Sequence, residues 1–295
     1  MATKKSSYNY DQYQVRKTKR WVNVVVTIVL VIWAVINLYP LYWMLAFSLK
    51  DNDQILVTNR FGLPKGLPSE WIWSNYKEAM NTGPIGKFFL NSIVITGATI
   101  ILTTLAAMMA SYAITRIRWR GSEAMNRIFM LGITIPIQAS IIPVYLVVSK
   151  LQLINTPIAL IIPYSAFALA MALLICTGFM TQIPKELDEA AYIDGCGRSK
   201  VFFTVILPLM KPAVATTAIY TFLQCWNELM FAQTFMTGLK SMTLPAGMAQ
   251  LFGSHTTQWG PIGAALVIAT FPTILFYVLF SRRIQDSFIA GAIKG

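Results

Sequence analysis

Residues 88–115 read FFLNSIVITGATIILTTLAAMMASYAIT, 28 consecutive positions without an Asp, Glu, Lys or Arg. A bilayer core of ~30 Å is crossed by a helix of ~20 apolar residues. A barrel strand would instead alternate apolar and polar residues over ~10 positions, and the run from Ile93 to Met109 does not alternate. The stretch is therefore read as a membrane-spanning helix. Working outward, charge-free windows recur at 21–49, 128–149, 151–184 and 241–281, and 212–239 is interrupted only by Glu228. Trimmed at their polar and Pro/Gly edges, these windows predict six spans near residues 22–47, 88–113, 128–149, 158–180, 213–237 and 261–281. The fold class is an all-α integral membrane protein with six transmembrane helices.

The whole chain supports that class. Its 295 residues are 56% hydrophobic and 12% charged, where a soluble chain carries about 25% charged residues. The same hydrophobicity excludes disorder. The net charge of +12 comes from Lys and Arg in short blocks between apolar segments, as expected of a membrane protein and not of a nucleic-acid-binding face. With the N-terminus inside, 17 basic residues fall on the cytoplasmic side and 7 outside, so both termini are placed in the cytoplasm. The first apolar run is longer than a signal-peptide core and is kept as a permanent helix. Three cysteines and one histidine, His255, form neither a disulfide framework nor a metal cluster. Cys176 and Cys225 read as apolar helix residues, and no Ser-His-Asp set can be assembled. Catalytic, cofactor-binding and metal-binding residues are accordingly expected to be none.

The informative loop lies between the fourth and fifth spans, residues 181–212, TQIPKELDEAAYIDGCGRSKVFFTVILPLMKP. Pro184 suits the first position of a helix. Glu186, Asp188 and Glu189 place negative charge at its positive end, and Gly195 can end it in a left-handed cap. Leu187, Ala190, Ala191 and Asp194, at i, i+3, i+4 and i+7, would give one side small and apolar atoms. Ser199 is expected to cap a second short helix running through Phe202 and Phe203, and Pro208 and Pro212 to turn the chain back to the membrane. On these residues alone the segment is either a solvated linker or a docking surface.

The spacing resembles the EAA motif of permease subunits in ATP-binding-cassette importers: EAA, three residues, Gly, nine residues, Ile, one residue, Leu-Pro. Glu189, Ala190, Ala191, Gly195, Leu207 and Pro208 match, with Val205 in place of the Ile. The resemblance implies a coupling helix seated in a groove of a separate cytoplasmic ATPase, with Glu189 paired to a basic residue there. ATP and Mg would be bound by that partner, and this chain would be no enzyme. Its own GCGRSK is not a phosphate loop, because Lys200 and Val201 stand where a Gly and a Lys are needed.

The similarity extends over about residues 20–295. NLYPLYWMLAFSLK (37–50), FLQCWNELMFAQTF (222–235) and RIQDSFIAGAIKG (283–295) look like the carbohydrate-uptake permeases, in particular the smaller permease of the maltose-transporter type. This implies a binding-protein-dependent sugar importer in the inner (plasma) membrane of a bacterium. Its partners would be a second, homologous permease forming a heterodimer, an ATPase dimer and an extracytoplasmic solute-binding protein. Three regions follow: a basic cytoplasmic tail (1–20) suited to anionic lipid, the permease domain (21–283) and a cytoplasmic tail (284–295), whose Gly291, Lys294 and Gly295 would contact the ATPase. Loops 51–87, with Trp71, Trp73 and Tyr76, and 240–260, with Phe252, His255 and Trp259, either face the binding protein or form an interfacial aromatic belt. Glu228, the only acid in a span, should face a cavity or a partner. With Gln224, Trp226 and Asn227 it either lines the pathway or ties helices together. Competing readings are an importer permease for another small solute (polyamine, phosphate or amino acid) or an ion-coupled secondary transporter.

Overall fold

The computed structural model describes residues 20–82, 84–253 and 258–292, and every regular element among them is helical. The chain enters through α1 (Arg20–Ser48), passes a π turn at Gln54–Thr58, and forms α2 (Ser74–Thr82) and α3 (Ile85–Thr115). Then come α4 (Ser122–Leu131), two 3₁₀ turns (Gly132–Thr134 and Ile137–Ser140), α5 (Ile141–Lys150) and α6 (Ile158–Met180). The loop carries α7 (Glu186–Ile193), α8 (Arg198–Val201), a π turn (Phe202–Ile206) and α9 (Leu207–Leu209). It leads into α10 (Lys211–Trp226), α11 (Met230–Phe235), α12 (Leu244–Gly253) and α13 (Trp259–Ala292).

Four of the six expected spans, α1, α3, α6 and α13, are single helices long and apolar enough to cross a membrane. The third is bent by 95° between residues 134 and 137. Pro136 explains the break: it lacks an N–H and pushes the preceding residue out of the α region, and Ile135 is extended at φ −80°, ψ 115°. The fifth span ends early. α10 stops at Trp226, and α11 starts a separate short helix instead of continuing to residue 237. Glu228 causes this by accepting hydrogen bonds from the backbone N–H groups of Phe231 (2.9 Å) and Ala232 (3.2 Å), in competition with the helix ladder. At its other end α10 meets the loop helices at a 74° bend beside Pro212. α13 runs without interruption past residue 283 to Ala292. Gly291 is in its last turn, whereas Lys294, Gly295 and His255 lie outside the described residues.

α3, α6 and α10 form the centre. Ala107, Ala168, Ala172 and Ala213 are fully buried there; small side chains let membrane helices approach closely without a hydrophobic drive between them. Two apolar clusters result. One joins Met108, Tyr112, Cys176, Met180, Phe202, Ile206 and Met210 at the end bearing α7. The other joins Phe88, Ile95, Leu160, Tyr164, Trp226, Phe231 and Phe235 at the opposite end. Buried hydroxyls lie on the central helices, Thr96, Thr99, Thr103 and Thr104 on α3 with Thr217 and Thr221 on α10. α1 packs against α13, and none of its apolar window is buried within this chain. A helix apolar on all sides and bare in its own subunit faces lipid or another chain.

Candidate functional site

The loop between α6 and α10 carries α7, α8, a π turn and α9. α7 begins at Glu186, two residues after Pro184, with the acids in its first turn. It ends as the glycine signal requires: Gly195 has φ +78°, its N–H donates to Tyr192 O and that of Cys196 to Ala191 O, both at 3.0 Å. That pair of bonds is the Schellman arrangement, which satisfies the last helix carbonyls. The next helix is capped differently from the expectation. Gly197 occupies the N-cap and Ser199 lies inside α8.

The inward face of α7 is narrower than the sequence stripe. Of Leu187, Ala190, Ala191 and Asp194, only Ala191 is buried, and its inward companion is Asp188. Glu189, Ala190 and Asp194 are exposed, as are Leu187, Tyr192 and Ile193, the last at 87%. Farther along, Phe203 is exposed while Phe202 and Ile206 are buried; Leu207 and Pro208 form α9. The helix thus presents Glu186 and Glu189 beside a bare apolar strip.

What anchors α7 was not legible as a motif. Arg116, at the C-terminal end of α3, places Nη1 3.0 Å from Asp188 Oδ2, with side chains only 4% and 8% exposed. Its Nη2 donates to Met180 O (2.8 Å), in the last turn of α6, and to Ile183 O (2.6 Å) in the connecting loop. One turn earlier on α3, Tyr112 Oη donates to Arg198 O (3.4 Å) and lies 3.3 Å from Tyr192 Oη, and its ring packs on Phe202 at 5.1 Å. A second ion pair, Arg127–Glu123, is an exposed i,i+4 contact that adds little.

At the opposite end Glu228 bridges α6 and α11. Besides the two backbone N–H groups, it accepts the hydroxyl of Tyr164. Trp226 is buried against Phe222 and Phe89. Asn227 is exposed, its amide donating to Leu223 O, and Gln224 is half-buried with Oε1 unpartnered. The four residues therefore do not share one surface. Asn155, in the left-handed region at φ +65°, accepts Gly238 N–H (2.8 Å) and Ser241 Oγ (3.0 Å) and so fixes the approach to α12. Lys50 is 1% exposed; its Nζ donates to Asn59 O at 2.6 Å, and burial lowers its pKa below the usual ammonium range. Trp71, Trp73 and Tyr76 form a row of near-parallel rings with centroids 6.5 and 6.4 Å apart. Among the described residues no group of three His, Cys, Asp or Glu could hold a metal.

Residues 102–288 match the family described as "Binding-protein-dependent transport system inner membrane component". The trehalose/maltose transport system permease protein MalG of Thermococcus litoralis is 35% identical over 90% of this chain and 94% of its own. The diacetylchitobiose uptake system permease protein NgcG of Streptomyces coelicolor is 33% identical over 90% and 87%. A chain of a bacterial ABC transporter involved in import of the acidic polysaccharide alginate superposes with a TM-score of 0.78 at 21% identity, covering 89% of this chain and 96% of that one.

Proposed function

The chain belongs to the family of binding-protein-dependent transport system inner membrane components, and from that membership we propose that it is one permease subunit of an ATP-driven sugar importer. It is a multi-pass membrane protein. In this reading both termini are cytoplasmic, the membrane is the bacterial inner membrane, and α7 is the coupling helix through which an ATPase dimer moves the spans. ATP and Mg stay with the ATPase, a second permease completes the pathway, and a solute-binding protein delivers the sugar from outside. The substrate class rests on the trehalose/maltose and diacetylchitobiose systems, which agree on carbohydrate.

The observation that carries the proposal is the geometry of α7. A short helix with a glycine-fixed end is tied to α3 and α6 on one side and leaves Leu187, Ala190, Ile193 and two acids bare on the other. A bare face of this kind on a rigid mount suits a partner's groove. Glu228 gives ion coupling no specific support: its carboxylate accepts from Tyr164, Phe231 and Ala232 and serves the helix break. Gln224 and Asn227 remain the pathway candidates, with Trp226 and Glu228 supporting the helix break.

The test is purification from native membranes in mild detergent, with identification of every retained protein, alongside uptake of labelled maltose, trehalose and diacetylchitobiose. Recovery of a second permease and an ATPase, with vanadate-sensitive uptake of one of these sugars, is the expected result. Recovery of this chain alone, with vanadate-insensitive uptake, would reject the proposal.

A further inference from the structure

A buried ion pair is an expensive way to hold two helices together. The desolvation of both charges offsets most of their attraction, and an apolar pair of similar volume often does as well or better. Arg116–Asp188 is such a pair, and it is incompletely bonded. Arg116 Nε and Nη1 and Asp188 Oδ1 are buried without a hydrogen-bond partner, so the Nη1–Oδ2 contact is an ion contact outside hydrogen-bond geometry. Stability alone does not account for this arrangement.

Its position does. Arg116 closes the C-terminus of α3, a helix of 31 residues, and its other nitrogen holds the last turn of α6 and the start of the loop. A single guanidinium thus joins three segments. Its planar fork can do this where a lysine, a point charge on a flexible stem, cannot. Nε, Nη1 and Oδ1, without hydrogen-bond partners, are alternative contacts that Arg116 and Asp188 could exchange while Nη2 keeps its two carbonyls. Tyr112 and Tyr192 form a second, neutral contact between the same two helices.

We infer that Arg116 and Asp188 are positioning residues forming the joint through which movement of α7 reaches α3 and α6, so that they set coupling and not assembly. This rests on the coupling-helix reading above. If the joint is removed, the ATPase still docks on the outward face of α7 and still hydrolyses ATP, but its closure displaces α7 without displacing the spans.

The experiment uses the complete complex purified through this chain, with four variants: Asp188→Asn, Arg116→Gln, Arg116→Lys and the double Arg116→Met with Asp188→Leu. Three quantities are read: ATPase retained, basal ATP hydrolysis, and uptake per ATP hydrolysed, using whichever of maltose, trehalose and diacetylchitobiose the wild type accumulates best. The expected result is unchanged retention and hydrolysis in the double variant, whose apolar pair restores packing. Uptake per ATP should fall by roughly tenfold or more in all four, the size of an ordinary coupling between sites. Arg116→Lys, which keeps the charge but not the fork, should not recover it. Wild-type uptake per ATP in Asp188→Asn or in the double variant would overturn the inference while leaving the importer reading intact. So would loss of assembly in all four, which would assign the pair to folding. A wild-type complex that retains no ATPase would instead remove the importer reading, and the inference with it.

Discussion

Gly195 permits a prediction in which backbone and side-chain effects separate. Its φ of +78° is in the left-handed region, and a Cβ built there meets nothing within 4 Å. Crowding therefore contributes nothing to the cost of substitution. What remains is the left-handed backbone, which costs an L-residue ~1–2 kcal/mol, least for Asn and most for a β-branched residue. The penalty has a ceiling, because the chain can release the cap and give up the two 3.0 Å bonds from Gly195 N and Cys196 N, each contributing ~0.5–1.5 kcal/mol. Gly195→Ala should thus weaken docking of the ATPase by ~1 kcal/mol, about fivefold in dissociation constant. Gly195→Asn should lose only a few tenths of a kcal/mol, about twofold or less. Gly195→Val should approach the ceiling at ~2 kcal/mol, about thirtyfold. The assay is titration of the isolated ATPase onto the permease pair held in lipid nanodiscs. The order Gly, Asn, Ala, Val from tight to weak is the signature of the backbone argument. If Asn binds as weakly as Val, side-chain size at the interface governs and the argument fails. If Ala and Val bind like the wild type, the cap has no part in docking.

Three further predictions concern the opposite end. Glu228→Gln keeps one acceptor and should lose ~1 kcal/mol of complex stability with near-normal transport, whereas Glu228→Ala strands the N–H groups of Phe231 and Ala232 and should lose ~2 kcal/mol or more; thermal melting of the purified complex with parallel uptake assays checks both, and transport abolished in Glu228→Gln with the complex intact would contradict the structural role. Gly247→Ala places a methyl 2.1 Å from the fully buried ring of Phe88 and should destabilise the complex by ~1–3 kcal/mol, with Phe88→Leu in the same chain recovering part of the melting temperature. Lys50 has a folded pKa lowered from 10.5 by burial, so the folded state binds its proton more weakly than the unfolded chain; its contribution to stability should rise as pH climbs through the lowered value and level off above 10.5, and Lys50→Met should flatten that alkaline rise in the melting curve.

The sequence located the membrane helices because absence of charge is a one-dimensional signal, and the glycine cap because φ > 0 is a local demand. The breaks were less legible. Pro163 and Pro272 lie inside the uninterrupted helices α6 and α13, as Pro40 does in α1, while Pro136 accompanies a 95° bend. Proline types look alike in sequence, and tertiary packing decides between kink and break. The end of α10 depended on which way the Glu228 carboxylate turned, a choice made by Tyr164, which is 64 positions away. Among three acids in one helical turn Asp188 suits the positive helix end as the others do, yet it is the one that shares the inward face with Ala191. Its partner, Arg116, lies 72 positions earlier, and no local pattern links them. An arginine directly at the end of an apolar span was the available clue.

The placement of the breaks bears on how force could cross the molecule. A displacement applied at α7 meets α3 and α6 directly through Arg116, and both are continuous helices of 31 and 23 residues, about 46 and 34 Å long at 1.5 Å per residue. Along them the push arrives at the opposite end undivided. The route through the loop into α10 is different, since it turns by 74° at Met210 and ends at Trp226. Beyond it, α11 packs against α5, with Tyr145 and Phe235 ring centroids 6.0 Å apart. The parts of the two interrupted spans far from α7 therefore contact one another and are linked to α6 by the Glu228–Tyr164 bond. Rigid rods and a jointed pair in one subunit allow the rods to tilt while the jointed pair re-seats. On this argument a change at the α7 end should alter coupling without altering the local packing of α5 and α11, and a change at Glu228 should do the reverse.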